Sequence, residues 1–343
     1  MPTIRDVAKR ARVAPTTVSR VVNNSGYVSD ATRDRVETAI QELGYVPNRL
    51  ARSLRLKRTH TLALVVTDIT NPFWTTVVRG VEDAAQAAGF NVILCNTDES
   101  EAKQEQYLDV LLQKRVDGIL LVPACASAEL VDWIRNQTIP VVVLDRRVDG
   151  AQVDTVRGDS QDGAYRLVRH LISLGHQHIA VLSGPKDVST ATDRVAGYRR
   201  ALTEAGLQVR AEWVEYGAFC QASGYEMAGQ VLATSPRPSA VFAVNNSIAV
   251  GALRALRDAG LRVPEDVSVV SFDDLTPDLL IEPFLTVADQ PAHEMGRRAA
   301  ELLLARLSGS APDGYQEVVL PVKVSIRGSS GQSVAVPASR VTN

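Results

Sequence analysis

From Thr61 to about Phe272, short apolar segments alternate with stretches of helical spacing, and this alternation restricts the fold more than any other feature of the chain. A strand that is covered by helices on both faces reads as a continuous apolar run, so the pattern is typical of parallel sheets with crossover helices. The alternation is too long for one sheet, and we predict two similar α/β lobes, with a ligand cleft between them at the carboxyl ends of the strands. We predict strands at 62–67, 91–95, 117–122, 140–144, 178–183, 240–244 and 267–271, with helices between them, for example at 101–114, 192–205 and 247–259.

The first 46 residues lack this alternation and predict three short helices instead. Thr3 and Asp6 have the spacing of a capping box at the start of the first helix. Pro15 opens the second helix, where its missing N–H costs nothing. Ser29 is predicted to cap the third helix and Gly44 to end it. Helices this short and this close together predict an all-α helix-turn-helix headpiece in front of the α/β body.

The charge is divided in the same way as the fold. Residues 1–60 hold ten Arg and two Lys against five acids, a balance of +7, which leaves −9 for the remainder of a chain with net charge −2. A basic head on an acidic body predicts a polyanionic partner at the head. The composition, 45% hydrophobic and 22% charged, argues against a disordered or fibrous protein.

Other sequence features bear on the cellular location of the protein and on membrane spans, disulfides and metal sites. No apolar run reaches the roughly 18 residues of a membrane span, and the first residues lack the pattern of a secretory signal, so we expect a cytoplasmic protein without a membrane partner. The cysteines, Cys95, Cys125 and Cys220, form no C-x-x-C pair, and we interpret them as core packing rather than as a disulfide or metal site.

Residues 3–23, TIRDVAKRARVAPTTVSRVVN, carry the most specific motif, and here the sequence resembles the lactose/galactose repressor (LacI/GalR) family of bacterial transcription regulators. The resemblance is nearly full length. It continues through GYVPN at 44–48, ARSL at 51–54, RVDG at 115–118, GH at 175–176, RVAGY at 194–198, VSVVSFDD at 267–274 and QP at 290–291.

The resemblance implies a headpiece at 1–46, a hinge helix and linker at 47–59, and a body at 60–327 with the two-lobed architecture of periplasmic binding proteins. We place the lobes at about 60–158 plus 289–320, and 159–288 plus 321–327. Residues 328–343 are rich in Ser, Gly and Val without periodicity, which predicts a loose tail.

The second helix of a helix-turn-helix enters the major groove with its first residues nearest the base edges. Here these are Pro15, Thr16 and Arg20, and Arg20 can donate two hydrogen bonds to a guanine, a contact worth about 1–3 kcal/mol of discrimination. Pro15 offers only apolar contact, and Ala14 forfeits a side-chain cap. The resemblance adds Thr3, Thr17, Ser19, Asn23 and Tyr45 to the predicted DNA contacts.

Residues 48–56 are too few for a helix that persists alone in water, so we expect this segment to fold against a partner. By resemblance it is the hinge helix, which pairs with its two-fold mate in the minor groove. Leu54 between Arg52 and Arg55 combines an apolar wedge with phosphate neutralisation, and Asn48 and Ala51 complete the contact. Paired hinges imply a homodimer on near-palindromic double-stranded operator DNA.

The effector is expected in the cleft. Trp74 and Phe219 can stack on a sugar-like ring, while Asp145, Arg194 and Asp273 can bond its hydroxyls or carboxylate. Asn246 stands where most relatives have Asp, and an amide both donates and accepts. The full predicted set is Asp68, Asn71, Phe73, Trp74, Asp145, Arg146, Thr190, Arg194, Phe219, Asn246 and Asp273. Because several arginines are present, the effector is expected to be a sugar, a sugar acid or a sugar phosphate.

Other functions fit the sequence less well. An enzyme is disfavoured because G-x-G-x-x-G, P-loop, H-E-x-x-H and G-x-S-x-G motifs are missing, and we predict no catalytic residue, cofactor or metal. His176 and His178 lack a third ligand and are interpreted as structural. A transporter's solute-binding protein would explain two lobes but not the basic head. A catabolite-type regulator controlled by a phosphorylated protein corepressor remains the alternative.

Overall fold

The structure is a computed structural model, and it describes residues 2–46, 58–125, 127–275 and 283–333. The chain divides into a small unit that ends at Thr59, called the head below, and a large unit that begins at His60, called the body. The predicted hinge segment, with Asn48, Ala51, Arg52, Leu54 and Arg55, lies outside the described residues.

The head consists of helices α1 (Ile4–Ala11), α2 (Pro15–Val22) and α3 (Asp30–Leu43). Their apolar faces meet in one small core, where Val7, Val18 and Val36 are completely buried. The predicted helix-turn-helix arrangement is confirmed.

The ends of these helices follow the sequence with one exception. The capping box is formed, because the Asp6 N–H lies 3.4 Å from Thr3 Oγ1 and the Thr3 N–H donates to Asp6 Oδ2 at 2.8 Å. Gly44 ends α3 in the left-handed conformation with φ of 59°. Ser29 occupies the N-cap position of α3 as predicted, but its hydroxyl donates to Thr32 Oγ1 at 3.0 Å and accepts no hydrogen bond from the helix backbone.

The described residues of the body form two β-sheets. The strands of each sheet come from distant parts of the sequence. Sheet A is parallel and has the order β11-β5-β4-β3-β1-β2. Its strands are β1 (Thr61–Val66), β2 (Asn91–Asn96), β3 (Gly118–Leu121), β4 (Val141–Leu144), β5 (Asp154–Gly158) and β11 (Glu317–Leu320). The associated helices are α4 (Pro72–Ala87), α5 (Glu101–Gln113), α6 (Ala128–Asn136) and α11 (Ala292–Ser308).

Sheet B has the order β12-β10-β9-β8-β6-β7, and among its described strands β12 alone runs antiparallel to its neighbour. Its strands are β6 (Ile179–Ser183), β7 (Val214–Tyr216), β8 (Ala240–Ala243), β9 (Ser268–Phe272), β10 (Thr286–Asp289) and β12 (Lys323–Ser325). The associated helices are α7 (Ser160–Ser173), α8 (Ser189–Glu204), α9 (Gln221–Leu232) and α10 (Asn246–Asp258).

Burial on both faces explains why the strands read as continuous apolar runs. In β1, Leu62 and Leu64 pack with the helices on one face of sheet A, and Ala63 and Val65 pack with those on the other. Successive side chains of a strand point to opposite faces, so a sheet between two helical layers needs apolar residues at every position. The predicted fold class is therefore confirmed.

The described chain passes between the lobes three times. The passages lie at 158–160, 289–292 and 320–323. They run side by side, since the Asp159 N–H donates to the Leu320 carbonyl at 2.9 Å and a Cβ on Gly158 would lie 2.1 Å from Gln290 Oε1. Three adjacent connections form a compact hinge between the lobes.

The predicted loose tail is wrong for residues 328–333. Ser329 is completely buried, and its hydroxyl accepts from the Thr286 N–H at 2.7 Å and donates to the Val269 carbonyl at 2.6 Å. The Ser333 N–H donates to the Leu174 carbonyl at 2.9 Å. Residues 328–333 are therefore held against sheet B by these hydrogen bonds; residues 334–343 are not among those described.

Buried polar contacts also decide the histidine and cysteine predictions. The ring of His176 lies 2.9 Å from Ser239 Oγ and 3.1 Å from Ser268 Oγ, and burial lowers its pKa, in keeping with a structural role. Cys95 is buried, but Cys125 is half-buried and Cys220 exposed, so core packing holds for the first alone. In the ranges that the structure describes, there is no metal-binding cluster of His, Cys, Asp or Glu, and no helix has the length and apolar character needed to cross a membrane.

Candidate effector cleft and DNA-reading helix

The strand ends of the two sheets enclose a cavity of about 350 Å³ in the body. All predicted effector residues except Asn246 line it. The other lining residues are Thr67, Thr70, Asp98, Glu99, Ala218, Cys220 and Asn245. The volume falls in the range of small-molecule sites.

Two buried carboxylates enter the cavity just past strand ends. Asp145 follows β4 and Asp273 follows β9, and both residues have left-handed backbone conformations, with φ of 63° and 61°. Non-glycine residues rarely adopt this conformation, although Asp tolerates it better than most. The local strain is a feature typical of functional sites.

Arg194, on α8, is fixed from several sides. Its guanidinium donates to the Val244 carbonyl at 2.7 Å, stacks 3.8 Å from the ring centre of Phe272, and lies 3.8 Å from Asp273 Oδ2. The side chain is buried, with 3% of its surface exposed. The guanidinium of Arg194 is therefore held in place, with the Asp273 carboxyl beside it.

Arg146 is paired in the same manner within the sheet A lobe. Its two terminal nitrogens donate to the carboxylate of Glu99 at 2.6 and 2.7 Å, and one of them also donates to the Pro123 carbonyl. The guanidinium lies 5.6 Å from the ring centre of Phe219. Such a bidentate pair is among the stronger protein ion pairs.

The carboxylates are less well compensated than the guanidinium groups. Burial raises the pKa of Asp273 to about 7, although Arg194 and a 2.9 Å hydrogen bond from Gln290 Nε2 act in the opposite direction. Burial also raises the pKa of Asp145, and its Oδ1 has no hydrogen-bond partner among the described residues. The cavity lining as a whole carries five carboxylates against two guanidinium groups.

The predicted effector residue Asn246 does not line the cavity. Its amide forms a reciprocal pair with Asn71 across the lobes, at 2.9 and 3.0 Å, and also donates to the Asp274 carbonyl. Asn245 lines the cavity instead, and its Oδ1 accepts from the Ile248 N–H to cap α10. Adjacent residues at the start of a helix point about 100° apart, so sequence spacing does not show which of the two faces the cavity.

Aromatic rings contribute from both lobes. Phe73 and Trp74 stand edge to face at 4.8 Å in the first turn of α4. Phe219 lies against Gly184, where a Cβ would approach its ring to 2.2 Å. A glycine at this position therefore makes room for the ring at the cavity wall.

In the head, the structure separates the predicted DNA contacts into two groups. Pro15, Thr16 and Arg20 are exposed on α2, whereas the half-buried residues are Thr17, Ser19, Asn23 and Tyr45. Within the described head the Arg20 side chain forms no hydrogen bond or ion pair, while the Asn23 amide donates to the Ser19 carbonyl and the Thr3 hydroxyl to Asp6. Tyr27, in the loop after α2, was not predicted as a contact, and its side chain is 90% exposed.

A helix-turn-helix head joined to a two-lobed body with an enclosed polar cleft defines a DNA-binding protein with a separate small-molecule site. Family models agree in both parts: residues 3–48 match "Bacterial regulatory proteins, lacI family", and residues 59–323 match "Periplasmic binding proteins and sugar binding domain of LacI family". The chain belongs to the LacI family of bacterial transcription regulators.

Named relatives lead to the same family. The repressor PurR of Photobacterium profundum is 37% identical over 308 residues, which cover 90% of this chain and 92% of the relative. PurR of Pectobacterium carotovorum subsp. carotovorum is 37% identical over 329 residues, 95% of this chain and 96% of the relative.

This chain is also similar in fold to solved structures of regulators. The regulator CelR in complex with cellobiose has 37% identity and a TM-score of 0.73, with 96% of this chain and 100% of that chain covered. The lac repressor dimer bound to operator and the anti-inducer ONPF has 30% identity and a TM-score of 0.83, covering 96% and 99%. The chain is thus a DNA-binding transcriptional repressor with a small-molecule effector, and the enzyme and transporter alternatives are excluded.

Proposed function

We propose that this chain is a cytoplasmic, homodimeric repressor whose affinity for operator DNA is set by a neutral, hydroxyl-rich sugar bound in the cleft. In this proposal residues 1–46 read the operator, residues 47–59 form the hinge, and residues 60–327 bind the effector and the second subunit. The lac repressor dimer on its operator supports the dimeric arrangement by analogy. Two heads related by a two-fold axis favour a near-palindromic site.

The charge state of the cleft carries the effector assignment. Both guanidinium groups already have carboxylate neighbours, and a sugar acid or phosphate would have to compete with Glu99 or Asp273 for them. The unpartnered Asp145 Oδ1 and the carboxylate of Asp273 are acceptors, which sugar hydroxyls satisfy by donating. Trp74 and Phe219 can cover the apolar face of the ring, as the cellobiose complex of CelR suggests by analogy.

The proposed control works by linkage between the cleft and the DNA-reading residues. Arg20 discriminates bases in the major groove, and Leu54 opens a step in the minor groove. A sugar that binds better to one arrangement of the lobes shifts the hinges towards or away from operator contact. A coupling of about 1–3 kcal/mol would change operator affinity about 5- to 150-fold.

A thermal-shift screen tests the proposal. Cellobiose, ribose and other neutral sugars should raise the melting temperature of the full chain, because a ligand that binds only the folded state stabilises it. The matching sugar acids and phosphates, and a phosphorylated carrier protein, serve as the contrasting arms. A shift with anionic sugars alone would contradict the charge argument, and a response to the phosphoprotein alone would favour the catabolite-type alternative.

The Asp145→Asn variant sharpens this test. It keeps an acceptor at the same place but removes the charge that a hydroxyl donor would satisfy. We expect a loss of sugar affinity of about tenfold, the size of one charge-assisted hydrogen bond, with unchanged operator binding in the absence of sugar.

A further inference from the structure

Arg147 and Asp193 form an ion pair across the two lobes of the body. Arg147 lies just past β4, in the lobe of sheet A, and Asp193 lies on α8, in the lobe of sheet B. The Arg147 Nη1 is 2.5 Å from Asp193 Oδ2, and the Arg147 backbone N–H donates to Ser189 Oγ at 2.8 Å. The side chains are 32% and 15% exposed, so the pair is partly withdrawn from water.

Each partner is the sequence neighbour of a cleft residue. Arg147 follows Arg146, and Asp193 precedes Arg194. Ser189 and Asp193 are four residues apart and therefore share one face of α8. A displacement of the lobes that separates Arg147 from this face also separates Arg146 from Arg194, because the backbone links each cleft side chain directly to a member of the pair.

Elsewhere at the cleft, the lobes are joined by the reciprocal amides of Asn71 and Asn246. The three adjacent chain passages form a hinge about which the lobes can open. An opening motion must break the contacts at the cleft. Of these two contacts, the one between Arg147 and Asp193 is charge-assisted, and such hydrogen bonds are roughly twice as strong as neutral ones.

We propose that Arg147, Ser189 and Asp193 form a clasp that keeps the lobes closed over the effector. They are positioning residues: they act through Arg146 and Arg194, and they set how fast a bound sugar leaves. The sugar rests on the proposed function, but the clasp itself is a property of the ligand-free protein and can be tested there.

The first experiment is hydrogen exchange by mass spectrometry on the ligand-free full chain. Arg147→Ala and Asp193→Asn should each accelerate hydrogen exchange about threefold to tenfold, at the backbone amide of position 147 and at the amides in the first turns of α8. The reason is that local opening becomes easier in both variants. The double variant should exchange no faster than the single variants, since partners in one interaction are not additive. Arg135→Ala is the matched control: it removes the Arg135–Asp132 pair, whose nitrogen and oxygen are 3.1 Å apart and which lies within α6 of the sheet A lobe.

The second experiment measures dissociation by stopped-flow fluorescence, with cellobiose as the sugar, or ribose if cellobiose gives no thermal shift. We expect the clasp variants to release the sugar about threefold to tenfold faster, with association rates within twofold of the unmodified chain. Unchanged exchange in both single variants, or additive effects in the double variant, would overturn the clasp. If neither sugar binds, the proposed sugar fails as an effector, while the exchange data still decide the clasp.

Discussion

Asp273 contributes a stability cost that grows with pH, and Asp273→Asn should remove it. Burial raises the pKa of this carboxyl to about 7, from an ordinary value of 3.8. The folded state therefore holds the proton more tightly than the unfolded state, so the free energy of unfolding falls as pH rises from about 4 to about 7. One pKa unit corresponds to about 1.4 kcal/mol, which sets a ceiling of about 4 kcal/mol for the full shift. Relaxation of the site and entry of water reduce this to about 1–3 kcal/mol.

The variant retains the main polar contact of this position, because an Asn Oδ1 can accept the hydrogen bond that Gln290 donates at 2.9 Å. We expect Asp273→Asn to be about 1–3 kcal/mol more stable than the unmodified chain at pH 8, and to keep roughly 40% of that gain at pH 5, which lies about one unit above the ordinary pKa of the carboxyl. The same variant should lose sugar binding. Substitutions that raise stability and remove function are typical of binding sites, because a buried charged group lowers the stability of the protein but is needed to bind the ligand.

Urea unfolding at pH 5, 6, 7 and 8, followed by tryptophan fluorescence, measures the difference. Asp187→Asn makes the same chemical change at an exposed position of the body and should follow the unmodified chain at every pH. Parallel stability curves for Asp273→Asn and the unmodified chain would refute the reasoning. So would a variant that is less stable at pH 8, since the charge would then be compensated in the folded state.

Further predictions concern the head and the packing of the body. Arg20→Ala should reduce the preference for operator over scrambled duplex by about 5- to 150-fold in fluorescence anisotropy, with a smaller loss of general affinity, and an unchanged preference would exclude Arg20 from base reading. Operator affinity should fall with salt at a log–log slope near −0.9 per phosphate contacted, and a flat response would contradict DNA contact by the basic head. Gly296→Ala should destabilise the body by about 1–3 kcal/mol in urea unfolding, because the new Cβ would lie 2.1 Å from the Val77 carbonyl oxygen. Gly229→Ala, which meets nothing within 4 Å, should instead gain about 0.5–1 kcal/mol, and equal effects would refute the packing argument.

The strands that could be predicted are those that read as short apolar runs in the sequence. The runs at 62–67 and 240–244 lie within a residue of β1 and β8. Strand β5 was missed because Asp154 opens it, and a buried carboxylate does not read as a strand residue. Its partner is Arg306, which donates at 2.7 and 2.8 Å from a position 152 residues further along the chain, and no local pattern indicates such a pair.

The prediction of the candidate site had the same limit, because contacts between residues far apart in the sequence could not be predicted. That side chains at strand ends meet in one cleft followed from the alternation of elements, and the arrangement of Asp145, Arg194 and Asp273 agrees with it. The sequence alone left sugar acids and sugar phosphates open beside neutral sugars, because it displays the arginines without their neighbours. Glu99, 47 residues from Arg146, changes that interpretation, since the contact exists only in the folded chain.

The triple passage of the chain between sheets A and B has a consequence for how this protein can vary. Neither lobe is encoded by one uninterrupted stretch, so the exchange of a lobe for that of a relative would require more than one crossover in the gene. The head, by contrast, is encoded by one uninterrupted stretch that ends at Thr59. One crossover in the gene at that point joins a different DNA-binding head to an existing effector-binding body. The operator sequence can therefore diverge faster than the effector specificity.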